Sequence, residues 1–154
     1  MKLRVIGLFM PGRVDAFRKL MTEFPEATVQ AVEFETAEAT IRYAADSDLF
    51  RNASADQITE RLNNRVRQLS TGLFSLKPLG DIPHRKLQRV EFEIVGLDCK
   101  ACSLAVHDIL ARVDGVTHAK ASFRDRLAVA WIDAATTDRS KIENALKQRQ
   151  VTVR

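Results

Sequence analysis

Val90-Glu91-Phe92-Glu93-Ile94-Val95-Gly96-Leu97 alternates apolar and polar side chains and then breaks at a glycine. That is the pattern of a half-buried strand running into a turn, because successive side chains on a strand point to opposite faces. At an offset of 89 residues, Met1-Lys2-Leu3-Arg4-Val5-Ile6-Gly7-Leu8 repeats it. Met1, Leu3 and Val5 fall opposite Val90, Phe92 and Ile94, and Gly7-Leu8 falls opposite Gly96-Leu97. Self-similarity at a fixed offset marks a duplicated unit, and every other assignment follows from it.

The match continues down the chain. Phe17, Leu20, Met21 and Phe24 fall opposite Val106, Ile109, Leu110 and Val113, each set spaced i, i+3, i+4, i+7 as on one face of a helix. Pro25 and Asp114-Gly115 end these helices. Phe34 then matches Phe123 in a strand. With a one-residue slip in the hairpin, Ala39, Ile41 and Tyr43 match Leu127, Val129 and Trp131 in the next strand. A second helix is opened by Ser54-Ala55-Asp56 in one unit and Asp138-Arg139-Ser140 in the other, side chains suited to N-capping, with Ile58 and Leu62 paired to Ile142 and Leu146. Short apolar alternations at 73–76 and 151–153 close the units. The order strand, helix, strand, strand, helix, strand predicts an α+β protein of two tandem ferredoxin-like βαββαβ domains, each a four-stranded antiparallel sheet with two helices on one face. The predicted boundaries are a first domain at 1–76, a linker at 77–87 made semi-rigid by Pro78 and Pro83, and a second domain at 88–154.

At 154 residues, 45% apolar and 29% charged, the chain has the composition of folded domains and not of a disordered tail. Its net charge of +4 comes from basic and acidic residues interleaved throughout, with one Trp and one Tyr, which argues against a nucleic-acid surface. A weak positive charge suits an acidic protein partner. No run approaches the roughly 18 apolar residues of a membrane span, so no membrane insertion is expected. The N-terminal MKLRVIGLFMPGR, with Arg4 inside a short apolar run, does not read as a signal peptide; the expectation is a cytoplasmic protein. No hydrolytic set of Ser, His and acidic residues and no glycine-rich phosphate loop occurs, so no enzyme is expected.

The chemistry concentrates in Gly96-Leu97-Asp98-Cys99-Lys100-Ala101-Cys102-Ser103, which holds both cysteines of the chain. Cys102 falls in the first turn of a helix and Cys99 just before it. Unpaired N–H groups and aligned peptide dipoles favour negative charge there, and Lys100 adds to the effect, so both thiols ionise more readily than a free cysteine. Two thiolates at this spacing suit Cu(I) and are open to Zn(II), Cd(II) or Hg(II). The same pair also suits a dithiol redox protein or sensor, although the aromatic or proline neighbours of thioredoxin-like sites are absent. The polar Asp98, Lys100 and Ser103 disfavour a buried structural pair. Asp98 is also placed to cap the helix. His107, five positions after Cys102 and about 500° around the helix, falls off the cysteine face and is expected at the surface or facing a partner. His84 and His118 are not spaced to join the thiolates.

The loop at 96–103, followed by an apolar helix, Asp114-Gly115-Val116 and Ala119-Lys120-Ala121-Ser122-Phe123, resembles the heavy-metal-associated (HMA) domain of copper chaperones and P-type metal-transporting ATPases, over residues 88–154. The resemblance implies one soft ion, Cu(I) or Zn(II), with Cd(II), Hg(II) or Pb(II) as further cargo. It implies Cys99 and Cys102 as ligands and stepwise thiolate exchange with another such domain or a P-type ATPase; a metal-bridged homodimer is a further arrangement. The usual Met two positions before the first Cys is Leu97, a volume-conserving change. Where copper-type members commonly carry Thr, this chain has Asp98, which resembles zinc, cadmium and lead exporters and implies a third ligand. Val151 stands where an aromatic residue or Lys is often found. The first unit reads as a degenerate copy: Met10 and Arg13 stand at the cysteine positions, with Pro11 and Gly12 between them. Its retained scaffold suggests a docking or dimerising surface. An interaction module with a vestigial site is the remaining alternative.

Overall fold

The alternation at the head of each unit builds its first strand, central in the first sheet and at the edge of the second. The computed structural model describes residues 1–154, which divide into Met1–Leu79 and Gly80–Arg154. The first unit runs β1 (Lys2–Ile6), α1 (Gly12–Met21), β2 (Ala27–Glu33), β3 (Glu38–Tyr43), α2 (Ala55–Leu69) and β4 (Ser75–Lys77). Its sheet order is β2-β3-β1-β4, antiparallel at every pair. Leu3, Val5 and Ile41 of the sheet bury against Phe17 and Met21 of α1 and Ile58, Leu62 and Val66 of α2. The last three recur every fourth residue, the spacing that keeps one helical face on the core. Ser54 and Gln57 form a reciprocal capping box at the start of α2, a device worth about 1 kcal/mol.

The second unit runs β5 (Gln88–Glu93), α3 (Lys100–Ala111), β6 (Val116–Ser122), β7 (Leu127–Ile132) and α4 (Arg139–Gln148). Asp138 caps α4 by accepting from the Lys141 amide. The sheet order is β5-β7-β6. The expected fourth strand at 151–153 is reduced to one bridge, Ile94 to Val153, flanked by hydrogen bonds from Val95 N to Thr152 O and from Arg154 N to Glu93 O, both 2.9 Å. The tail lies where a fourth strand belongs but is too short to propagate the ladder. The α+β, ferredoxin-like architecture is therefore as expected, with a full four-stranded sheet in the first unit only.

Three local expectations need correction. The one-residue hairpin slip does not exist: Leu3 pairs with Ala39 and Phe92 with Ala128, so the offset of 89 persists through β3 and β7. The hairpin turns carry left-handed Ala37 and Arg126 at the same offset, with φ of 54° and 56°. Phe34 and Phe123 lie in those turns, one residue beyond their strands. The length change falls later, between β3 and α2, where Ile58 and Leu62 take the places of Ile142 and Leu146. Lys77, read as linker, pairs with Arg4 as the last residue of β4, and residues 84–86 form a short 3-10 turn.

Arg4 points away from the helices, yet it is only 1% exposed. Its guanidinium donates to the Thr36 and Leu79 carbonyls and pairs with Glu38 at 3.5 Å. Those bonds are what make burial of the charge tolerable, since a buried cation without partners costs several kcal/mol. They also fix the residues just after β4 on the outer face of the first sheet.

Candidate metal centre

β5 ends in the loop that presents the two sulfurs. Gly96 turns the chain with φ +77°, and the fully buried Leu97 anchors the loop in the core. Hydrophobic burial at that position, worth about 2 kcal/mol, fixes the two residues that follow. Cys99 is the N-cap of α3: its Sγ accepts from the Cys102 amide at 3.0 Å and its carbonyl accepts from the Ser103 amide at 3.0 Å. Ser103 Oγ donates to the same carbonyl at 3.3 Å. Sulfur thus fills the role sequence reasoning offered to Asp98.

Released from capping, the Asp98 carboxylate turns toward the pair, with Oδ1 3.5 Å from Cys102 Sγ. The Asp98, Cys99 and Cys102 ligand atoms all lie within 4.8 Å of one another. Cys99 and Cys102 are half-buried and Asp98 is exposed, so the cluster opens to solvent on one side and rests on the core on the other, where Cys102 packs against it. In the structure the two cysteines are joined as a disulfide, with Cα atoms 5.1 Å apart. This is the oxidised form of the pair. Two electrons and two protons convert it to the dithiol, and only the deprotonated dithiol ligates a metal.

The three histidines stay apart from the sulfurs, as expected for His84 and His118. His107 departs from its expected surface position. It is 3% exposed, and its Nδ1 lies 3.0 Å from the Ala119 carbonyl, donating to it across the α3–β6 contact. Helical angle alone did not anticipate this, because β6 covers the flank of α3 next to the cysteine face. His84 and His118, 34 positions apart, meet each other instead.

The equivalent loop in the first unit is filled by its own chain. Pro11 sits at the N-cap position of α1 with no capping side chain. The Arg13 guanidinium, at the position of Cys102, lies 4.3 Å from the Phe74 ring centroid and 5.4 Å from that of Phe9, and its Nε donates to the Gly7 carbonyl at 3.3 Å. Burial pulls its pKa below the ordinary arginine value. A cation spread over two aromatic faces occupies the place where the second unit presents thiolates.

No family model matches the chain. Among curated proteins it is similar to the "Mercuric transport protein periplasmic component" of Pseudomonas fluorescens, 34% identical over 58 residues, which is 38% of this chain and 64% of that protein. The match therefore spans less than two thirds of the relative's length. Proteins of the same description from Salmonella typhi and Serratia marcescens match over the same span at 34% and 33% identity. Among solved structures, oxidised MerP from Ralstonia metallidurans CH34 is 28% identical with a TM-score of 0.41, covering 44% of this chain and 97% of that one. The N-terminal soluble domains of Bacillus subtilis CopA are 16% identical with a TM-score of 0.41, covering the whole of this chain and 90% of theirs. The mercuric relatives bear out the resemblance to heavy-metal-associated domains.

Proposed function

We propose that this chain is a metal-carrying protein that takes one soft ion as cargo on the thiolates of Cys99 and Cys102 and passes it on by ligand exchange. The observation that carries this reading is the convergence of two sulfurs and a carboxylate within 4.8 Å at the N-terminus of α3. The helix end and Lys100 favour the thiolate forms, and the Cys102 amide holds the Cys99 sulfur in place. The open side of the loop lets a partner's thiolate approach while the buried Leu97 keeps the loop shaped. Partner sulfurs replace Cys99 and Cys102 one at a time, so the ion is never released to water. The receiving partner is another heavy-metal-associated domain, including one on a P-type ATPase.

Two sulfurs satisfy Cu(I) or Hg(II), and the mercuric relatives support the latter. Zn(II), Cd(II) and Pb(II) favour a larger shell, to which Asp98 adds a third donor. Asp98→Asn is expected to weaken Zn(II) and Cd(II) binding about tenfold and to change Cu(I) or Hg(II) binding much less. Competition titrations against chelators under reducing conditions distinguish these cases. Equal losses for all ions mean that the carboxylate acts only on the loop. The reading extends to a cytoplasmic chain, where the glutathione poise keeps the pair as a dithiol.

The disulfide supports a second reading, a dithiol redox protein or sensor using the same two residues. A reduction potential measured with and without metal separates the two. The carrier reading expects a metal-free dithiol that is stable at the cytosolic poise and still harder to oxidise when loaded. A potential near that poise, indifferent to metal, favours the redox role.

A further inference from the structure

On the second sheet's outer face, opposite the helices, Trp131 of β7 and His118 of β6 are cross-strand partners. Their rings stack with centroids 4.2 Å apart and planes 11° apart. The turn at His84–Lys86 covers this face, bringing His84 Nε2 to 3.0 Å from His118 Nε2 and its ring centroid to 5.8 Å from that of Trp131. The two imidazoles are 27° from coplanar with centroids 5.1 Å apart. That separation is about the nitrogen–nitrogen distance plus one ring radius on each side. The nitrogens therefore meet head-on, in the ring planes where the N–H bond and the lone pair lie. Such a contact contains one hydrogen, an N–H on one ring facing the bare nitrogen of the other.

We infer that His84 and His118 form a proton-operated latch on the segment joining the two units. With one hydrogen between the Nε2 atoms, the latch holds residues 80–86 against the sheet. When both rings are imidazolium, two N–H groups face each other and the bond is lost. Charged groups around the pair include Lys120 on β6, with Nζ 5.0 Å from the Trp131 ring, and Arg89 on β5, with its guanidinium carbon 5.8 Å from it and Glu91 as ion-pair partner. The segment itself adds Asp81, Arg85 and Lys86, and β7 adds no charge. Cations outnumber anions here. That surplus works against both imidazolium rings persisting face to face, and with only two donors present it also argues against a metal ion between them.

The latch is closed above the ordinary imidazole range, about pH 6.5, and opens as pH falls through and below it. Opening frees about seven residues of connecting chain, about 25 Å of additional reach when extended. The length of free chain ahead of the second unit's sheet is thus set by proton activity.

Hydrogen–deuterium exchange on the full chain, corrected for intrinsic rates, tests the latch at the Lys86 and Leu87 amides, which donate to Pro83 O at 2.9 Å and His84 O at 3.0 Å. Protection there is expected to fall at least about tenfold between about pH 7.5 and about pH 5, while the β7 amides stay protected. Over the same range the fluorescence of Trp131, the one tryptophan of the chain, is expected to dim as the stacked imidazole becomes imidazolium. His84→Ala should show low protection at both pH values. His84→Gln, whose amide offers a donor or an acceptor without titrating, should show high protection at both. Wild-type protection that is flat across the range overturns the latch, as does an acid-induced loss of equal size in either variant. If His84→Ala fails to fold, the glutamine variant decides alone.

Discussion

Serine at Cys99 or at Cys102 is expected to lower the reduced chain's affinity for Cu(I) or Hg(II) by at least about a thousandfold, equivalent to about 4 kcal/mol. A serine hydroxyl does not ionise near neutral pH, and as a hard oxygen donor it is poorly matched to a soft ion. The remaining sulfur then holds the cargo alone, beside a carboxylate that soft ions disfavour. The double variant should bind no ion tightly, and because its fold rests on Leu97 and the helix stripe it should keep its circular dichroism. Affinity of the wild type should fall steadily with pH, because each ligating sulfur must first lose its proton. Competition with a chelator reads all of these. Stoichiometric Cu(I) on the double serine variant would end the carrier reading outright.

Gly7→Ala is expected to cost the first unit about 3 kcal/mol or more, against about 1 kcal/mol for Gly96→Ala in the second. The two glycines are equivalents in the repeat and both have positive φ, +110° and +77°. What differs is the surroundings. A Cβ on Gly7 would meet the Leu73 carbonyl oxygen at 2.4 Å and the Phe74 ring at 2.8 Å, whereas a Cβ on Gly96 meets nothing within 4 Å. A Cβ pressing on a backbone oxygen has no cheap relaxation, so Gly7→Ala bears both a conformational and a steric penalty. Urea unfolding followed by Trp131 fluorescence, which sits in the second unit, and by far-ultraviolet circular dichroism, which sees both, assigns each loss to its unit. Equal costs at the two positions would refute the steric argument.

The repeat, the element order and the cysteine-bearing helix start were legible because each rests on strong periodicity: alternation in β1 and β5, four-residue recurrence in the helices, and capping residues ahead of α2 and α4. The β7 register was misread for a physical reason. In Leu127-Ala128-Val129-Ala130-Trp131-Ile132 the larger residues Leu127, Val129 and Trp131 face away from the helices, and the small Ala128 and Ala130 fill the core. Hydrophobicity therefore points to the wrong face, and a shift by one residue exchanges the two. Trp131 can lie there because His84 and His118 cover it, a long-range contact that no local pattern encodes. The capping role of Cys99 was hidden because a sulfur acceptor is uncommon beside an aspartate that composition alone would favour. His107 was misplaced because its burial depends on β6, nine or more residues away in sequence.

Arg13 has one further consequence. On the proposed reading, the guanidinium lodged on Phe9 and Phe74 in the loop that would otherwise offer sulfur leaves the first unit without a berth, and no bucket brigade runs between these two units. Whatever boards at Cys99 and Cys102 then disembarks to sulfurs outside the first unit, and throughput is governed by the encounters of the second unit alone.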